Sequence, residues 1–305
     1  MKPYYYSLNE YLKEQYGHKI YKLALNGGMT CPNRDGLIDF RGCIFCSAGG
    51  SGDFATGLCD FDKAKELIKD KYSGNDFIAY FQSFTNTYAP VSYLEQLYMP
   101  IIKRDDVRIL SIATRPDCLS DECIELLDKL NKIKPVWIEL GLQTIHERTA
   151  RYIRRGYSLD VFENAVSRLN KIGIRPIVHM IIGLPGESRD EILQTAAYLS
   201  HMNISGIKLQ LLHVLKNTDL ATDYNNGCFK VLELDEYISI VADILQILPA
   251  DMVIHRITGD GPKNLLIAPL WSANKKNVLN SLNCYLRDNN IIQGSKFNLI
   301  NNKEE

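Results

Sequence analysis

Seven short runs of β-branched and apolar residues recur along the chain: YKLALN, DFIAYFQ, VRILSIAT, VWIELGL, IRPIVHMIIG, GIKLQLLHV and DMVIHRI. Longer amphipathic stretches separate them, and no hairpin signal joins one run to the next. Strands that alternate with helices pair in parallel through crossover helices. The expected fold class is therefore α/β, a partial (β/α)6 TIM-like barrel of parallel strands with a C-terminal helical extension. Periodicity alone leaves a doubly wound open sheet as the alternative.

Helices are expected at about 60–71, 91–103, 119–132, 160–172, 188–201, 235–248 and 275–288. The clearest is 160–172, where Val161, Phe162, Ala165, Val166, Leu169 and Ile172 fall on one face. Asp160 is its expected N-cap and Gly173 its stop. The expected organisation is an N-terminal extension over 1–20, a core barrel over 21–260 and a helical extension over 261–305 ending in a frayed NNKEE tail.

Within the core, the segment MTCPNRDGLIDFRGCIFCSAGG (29–50) holds Cys31, Cys43 and Cys46, with eleven residues between the first two and two between the second pair. Pro32, Asn33, Asp35 and Gly36 make the intervening stretch a loop. Three thiols are one short of a structural zinc site and odd for a disulfide framework. CIFC in isolation fits half a zinc site or a redox pair as well as it fits iron. Three thiolates also suit a [4Fe-4S] cluster that leaves one iron open to a small molecule, and S-adenosylmethionine can chelate such an iron through its amino and carboxylate groups. The other five cysteines, Cys59, Cys118, Cys123, Cys228 and Cys284, have no ligand-like spacing.

In parallel sheets and barrels ligands sit at the C-terminal strand ends. Those ends read GGMTC, QSFTNT, TRPD, GLQT, GLPGES and LKNTD, and Gln82, Asn86, Arg115, Glu139, Gln143 and Arg155 exceed what turning requires. A chain of 305 residues, 46% of them apolar, can bury a large core, while a net charge of −1 gives no global attraction to nucleic acid. The N-terminus lacks the apolar centre of a signal peptide, and no run approaches the roughly 18 apolar residues of a membrane span. A cytoplasmic protein with reduced cysteines and no membrane partner is expected.

CIFC with an aromatic before the last cysteine, ATRPD, ELGLQTIHERTARYIRRGYS and HMIIGLPGES, in that order, resemble the radical S-adenosylmethionine enzymes over about residues 20–260. The long first spacing resembles the subgroup related to the Elongator catalytic subunit without its acetyltransferase domain. The resemblance implies that Cys31, Cys43 and Cys46 bind the cluster, and that Gln82, Ser83, Thr85 and Asn86 stand where relatives contact the methionyl amine. It further implies cofactor contacts for Arg115, for Glu139 and Gln143 at the fourth strand, for Arg155 on the methionyl carboxylate, and for Ile181 and Gly183 at the adenine. His179 stands where some relatives place an aspartate at the ribose. No catalytic residue beyond these is assigned.

The competing readings are local. Glu139 and Gln143 would serve as helix caps, Arg154 and Arg155 as a solvated pair, and His179, His213 and His255 as core histidines. Ser188 would cap the helix after GLPGE. The activity implied is reductive cleavage of S-adenosylmethionine to a 5′-deoxyadenosyl radical, with tRNA as substrate in the wobble-uridine step from 5-carboxymethylaminomethyl to 5-aminomethyl. An electron donor such as flavodoxin or ferredoxin is required. Aromatic and basic residues in YYYSLNEYLKEQYGHKIYK and WSANKKNVLNSLNCYLR would face tRNA, or Tyr4 to Tyr6 would simply pack on the barrel. YSGND and DYNNGCF are candidate entry loops. The alternatives are a radical enzyme acting on a small molecule of porphyrinogen type and a non-enzymatic metal-binding module.

Overall fold

The computed structural model describes residues 3–50, 52, 55, 60–259 and 261–297; Cys59 and the NNKEE tail lie outside the described residues. The strands are β1 Tyr21–Leu25, β2 Phe77–Phe81, β3 Val107–Thr114, β4 Val136–Gln143, β5 Ile177–Ile182, β6 Gly206–Leu211, β7 Val214–Leu215, β8 Val253–Arg256 and β9 Leu266–Ala268. The helices are α1 Leu8–Tyr16, α2 Phe61–Glu66, α3 Val91–Ile102, α4 Asp121–Asn131, α5 Glu147–Tyr152, α6 Leu159–Lys171, α7 Arg189–Ser200, α8 Asp219–Asn225, α9 Leu234–Ile247 and α10 Lys275–Asp288.

Seven strands join one sheet in the order β1-β2-β3-β4-β5-β6-β8, and the pairs β1–β2, β2–β3, β3–β4 and β6–β8 are parallel. A sequential order with a helix in each crossover is that of the expected partial barrel, and it sets aside the doubly wound sheet, whose order must reverse. Every residue of β2 is buried, as both faces of such a sheet require. β7 and β9 form a separate antiparallel ribbon that hydrophobic periodicity did not announce. Among the described residues no helix is long and apolar enough to cross a membrane.

Phe162, Ala165, Val166 and Leu169 are the buried face of α6, as their spacing demands. The N-cap is Ser158, not Asp160. Ser158 keeps extended dihedrals while Asp160 is already helical, where its carboxylate meets the positive end of the helix dipole. Gly173 ends the helix at φ +75°, a conformation that costs glycine nothing.

Two compact units divide the chain. Leu12–Gly141 with Gly156–Val178 contains the cysteine loop, β1, β2, β3 and most of β4; Met1–Tyr11, Leu142–Arg155 and His179–Glu305 contain most of β5 and all of β6 to β9. Within the second, the N-terminal segment lies along β8: the Ile254 amide donates to the Tyr6 carbonyl at 2.8 Å and Ser7 bridges Ile254 in parallel. The backbone of the N-terminal segment is thus tied to β8, while Tyr4, Tyr5 and Tyr6 are half-buried.

Candidate cluster and cofactor site

The cysteine loop is shaped by its own polar groups. The Arg34 amide donates to the Cys31 carbonyl at 2.8 Å, and the Gly42 amide to the Asn33 carbonyl at 2.7 Å. Arg34 Nη2 reaches the carbonyls of Cys46 (2.9 Å) and Ser47 (2.6 Å), which ties the start of the loop to its end. Asn33, fully buried, donates from Nδ2 to Cys43 Sγ at 3.4 Å. Burial pushes the Cys43 thiol up to about 12; the neighbouring Cys46 and Cys31 act in the same direction, while Arg115 and Asn33 oppose it.

None of the three thiols is exposed, none is sealed, and none is in a disulfide. Among the described residues no three His, Cys, Asp or Glu side chains converge on one metal ion. Thiolates that each bind a different iron of a cluster need no such convergence. Three neighbouring cysteines with an amide donor on one sulfur form a donor set that suits soft iron and leaves a coordination position open.

The loop is pressed onto the segment after β2. The Phe84 amide donates to the Gly50 carbonyl at 2.8 Å, and the Thr85 amide to the Thr30 carbonyl at 3.2 Å. Any Cβ at Gly50 would meet the Phe84 ring at 2.2 Å, and one at Gly52 would overlap Ser83 Oγ at 1.9 Å, so backbone alone fits there. QSFTNT contains no glycine, yet Phe84 adopts φ +58°, in the left-handed region a glycine would favour. Strain of this kind is kept only where the surroundings fix it.

Ser83, Thr85 and Asn86 are buried and Gln82 is half-buried. Asn86 Nδ2 donates to the carbonyls of Phe81 (3.1 Å) and Ala113 (3.0 Å), pinning the ends of β2 and β3 together. Its Oδ1 is buried and accepts no hydrogen bond among the described residues.

Arg115 follows β3 and forms a two-pronged pair with Asp117 (2.9 and 2.7 Å) beneath the Tyr157 ring. Burial works against its charge, and Asp117 outweighs it and raises the pKa. Burial holds the Cys118 thiol well above the ordinary thiol range. Glu139 has no exposed surface and accepts from Lys22 Nζ at 3.0 Å and from Ser111 Oγ at 2.9 Å, partners that a helix cap would not have.

In the second unit, Gln143 ends β4 at φ +71°, and its buried Oε1 has no donor among the described residues. Arg155, only 2% exposed, donates to the carbonyls of Thr144 (2.7 Å) and Leu142 (3.4 Å) and to Glu147 (3.0 Å). Arg154 pairs with Asp219 at 2.6 Å, so neither arginine is merely solvated.

His179 is half-buried on β5, Ile181 is 6% exposed, and Gly183 turns the chain at φ +88°. A cavity of about 500 Å³ opens beside that turn, lined by Gly183, Pro185, Glu187, Phe229 and Leu232. Glu187 accepts from Thr144 Oγ1 at 2.5 Å and links the loops after β4 and β5; burial raises its pKa, partly offset by the hydrogen bond from Thr144. Sequence reading singled out neither Glu187 nor Lys22. A polar residue in an apolar strand, as Lys22 is in YKLAL, was the available signal.

Comparison with known proteins adds the following. Residues 31–199 match the description Radical SAM superfamily, and residues 204–288 the description Radical_SAM C-terminal domain. The chain is 46% identical to the uncharacterized protein YtqA of Bacillus subtilis, over 96% of this chain and 92% of that one. It is 34% identical to the protein YhcC of Escherichia coli K12, over 93% and 92%. A tRNA uridine(34) acetyltransferase of Methanocaldococcus infernus is 26% identical over 172 residues, 54% of this chain and 31% of that protein. The solved structure of archaeal Elp3 from the same organism superposes with a TM-score of 0.68 at 17% identity, over 90% of this chain and 64% of the other.

Proposed function

We propose, on the premise that this chain belongs to the radical S-adenosylmethionine superfamily, that it modifies the wobble uridine of tRNA, in the step from 5-carboxymethylaminomethyl to 5-aminomethyl. The supporting observation is the 172-residue similarity to a protein named for acting on tRNA uridine 34, within a fold shared over nine tenths of this chain. When bound, a [4Fe-4S] cluster and S-adenosylmethionine supply a 5′-deoxyadenosyl radical able to take hydrogen from an unactivated carbon.

Cys31, Cys43 and Cys46 hold the cluster in this reading, with Asn33 fixing the Cys43 sulfur. Gln82, Ser83, Thr85 and Asn86 shape the strand-end backbone around the methionyl amine, and Gln143 offers the cofactor its unfilled Oε1. In the unit that holds the cysteines, Arg115 would add positive charge and Glu139 a buried carboxylate; in the other unit, Arg155, His179, Ile181 and Gly183 are the residues that the resemblance assigns to the cofactor. A one-electron carrier such as flavodoxin or ferredoxin would supply the electron. The reaction belongs in the cytoplasm, where thiols stay reduced.

Two measurements test the reading. Anaerobically reconstituted protein with reductant and S-adenosylmethionine should form 5′-deoxyadenosine, and Cys46→Ala should form none. Nucleosides of tRNA from cells without the gene should accumulate the 5-carboxymethylaminomethyl form at the expense of 5-aminomethyl derivatives. An unchanged wobble profile ends the tRNA reading.

A further inference from the structure

Strand register places a polar and aromatic cluster on one face of the first unit. Tyr80, Ser111 and Trp137 stand side by side across β2, β3 and β4. Lys22 lies two residues before Ala24, the partner of Tyr80, and Glu139 two residues after Trp137. Side chains repeat on a face every second residue, so all five share it.

Lys22 Nζ is 3.0 Å from Glu139 Oε1 although two strands intervene. At ~4.8 Å per strand a flat sheet would set their backbones about 14 Å apart, with both side chains standing off the sheet. The ion pair therefore requires this face to be concave. The same ammonium lies 4.4 Å from the Tyr80 ring centre and 5.9 Å from that of Trp137.

Interior faces of parallel sheets are normally Val, Ile or Leu. Here the residues that follow on this face toward the strand C-termini are the small Ala24, Ala113 and Gly141 on β1, β3 and β4, with the polar Gln82 just past β2. Glu139 has no exposed surface while the Lys22 side chain keeps 22%. An ammonium has three donors, and Lys22 spends one on Glu139 with no other hydrogen bond among the described residues.

We infer that Lys22, seated by Glu139 and held against Tyr80 and Trp137, is a binding residue for a carboxylate of the substrate. Resting on the wobble-uridine reading, the inference makes the carboxymethyl carboxylate the group received. A charge-assisted hydrogen bond to a partly buried ammonium is among the stronger contacts a lysine can make. The 5-aminomethyl product has lost that carboxylate and ends in a cationic amine, which Lys22 repels. The subsite thus separates substrate from product.

The test uses reconstituted protein and two end-labelled anticodon stem–loop RNAs, one with 5-carboxymethylaminomethyluridine at the wobble position and one with 5-aminomethyluridine. Wild type should bind the first about tenfold or more tightly than the second. Lys22→Met should bind both alike, and Lys22→Arg should restore the preference. Iron content and Tm report that each variant is assembled. Should Lys22→Met not assemble, Lys22→Met/Glu139→Gln leaves no unpaired buried charge and is read the same way. A preference that survives in the Met variant overturns the inference, as does wild type that converts the first RNA without preferring it; in both cases the wobble reading stands. Wild type that converts no such RNA removes that reading and the subsite together.

Discussion

Glu187 shows how a single side chain can couple two strand ends and leave a measurable trace. It sits in the GLPGE turn and accepts from Thr144, so the loops after β4 and β5 share one carboxylate. Burial holds its pKa above the ordinary carboxylate value. A raised carboxyl pKa contributes stability fully below the unfolded value of about 4.3, and that contribution is lost as pH rises through the folded value. Glu187→Gln keeps an acceptor and carries no charge. Its Tm should gain on wild type as pH climbs from about 5 to about 8; a pH-independent difference rules out the ionised carboxylate as the source. At Phe84 the residue scale also explains a gap in legibility. A glycine motif could not be seen in QSFTNT, but the left-handed turn it would have encoded is there, imposed by the cysteine loop.

At the scale of elements, long amphipathic helices were readable because a 3.6-residue repeat of apolar side chains states both the element and its buried face. Expected 91–103, 119–132 and 188–201 became α3, α4 and α7 within two residues at each end. Ser188 caps α7 through a reciprocal pair, its Oγ accepting from the Glu191 amide (3.2 Å) and its amide donating to Glu191 Oε2 (2.8 Å). Ser188→Ala should lower stability by about 1 kcal/mol, measured by denaturant midpoint; no change would show that tertiary packing alone holds this end. The short α5, α8, β7 and β9 escaped because helices of six or seven residues and strands of two or three carry too little periodicity. They form where neighbours supply partners, as Lys216 does by donating from its amide to the Leu265 carbonyl at 2.8 Å.

At the scale of the whole molecule, segments remote in sequence meet within one compact unit. Gln293, 5% exposed, accepts from the Tyr6 amide at 2.9 Å and donates to the carbonyls of Pro249 (2.6 Å) and Met252 (2.8 Å). Its own amide donates to the Tyr4 carbonyl at 2.9 Å. One amide side chain therefore joins the N-terminal segment, the turn before β8 and the stretch after α10. Gln293→Ala leaves the Tyr6 amide and the buried Met252 carbonyl without this partner and should cost about 1–3 kcal/mol, with amide exchange rising in residues 4–7; unchanged exchange there would show that the N-terminal segment is held by other contacts.

The order of the seven sheet strands and the long helices between them, the loop between Cys31 and Cys43 and the odd number of thiols were legible in sequence alone, because propensity, periodicity and ligand count are properties of neighbouring residues. Tertiary structure decided that Lys22 meets Glu139, 117 positions away. It also decided that Arg155 is buried against backbone carbonyls. Such meetings depend on strand register and on how strongly a sheet curves, which arise from all the packed side chains together and are written in no short stretch of the chain.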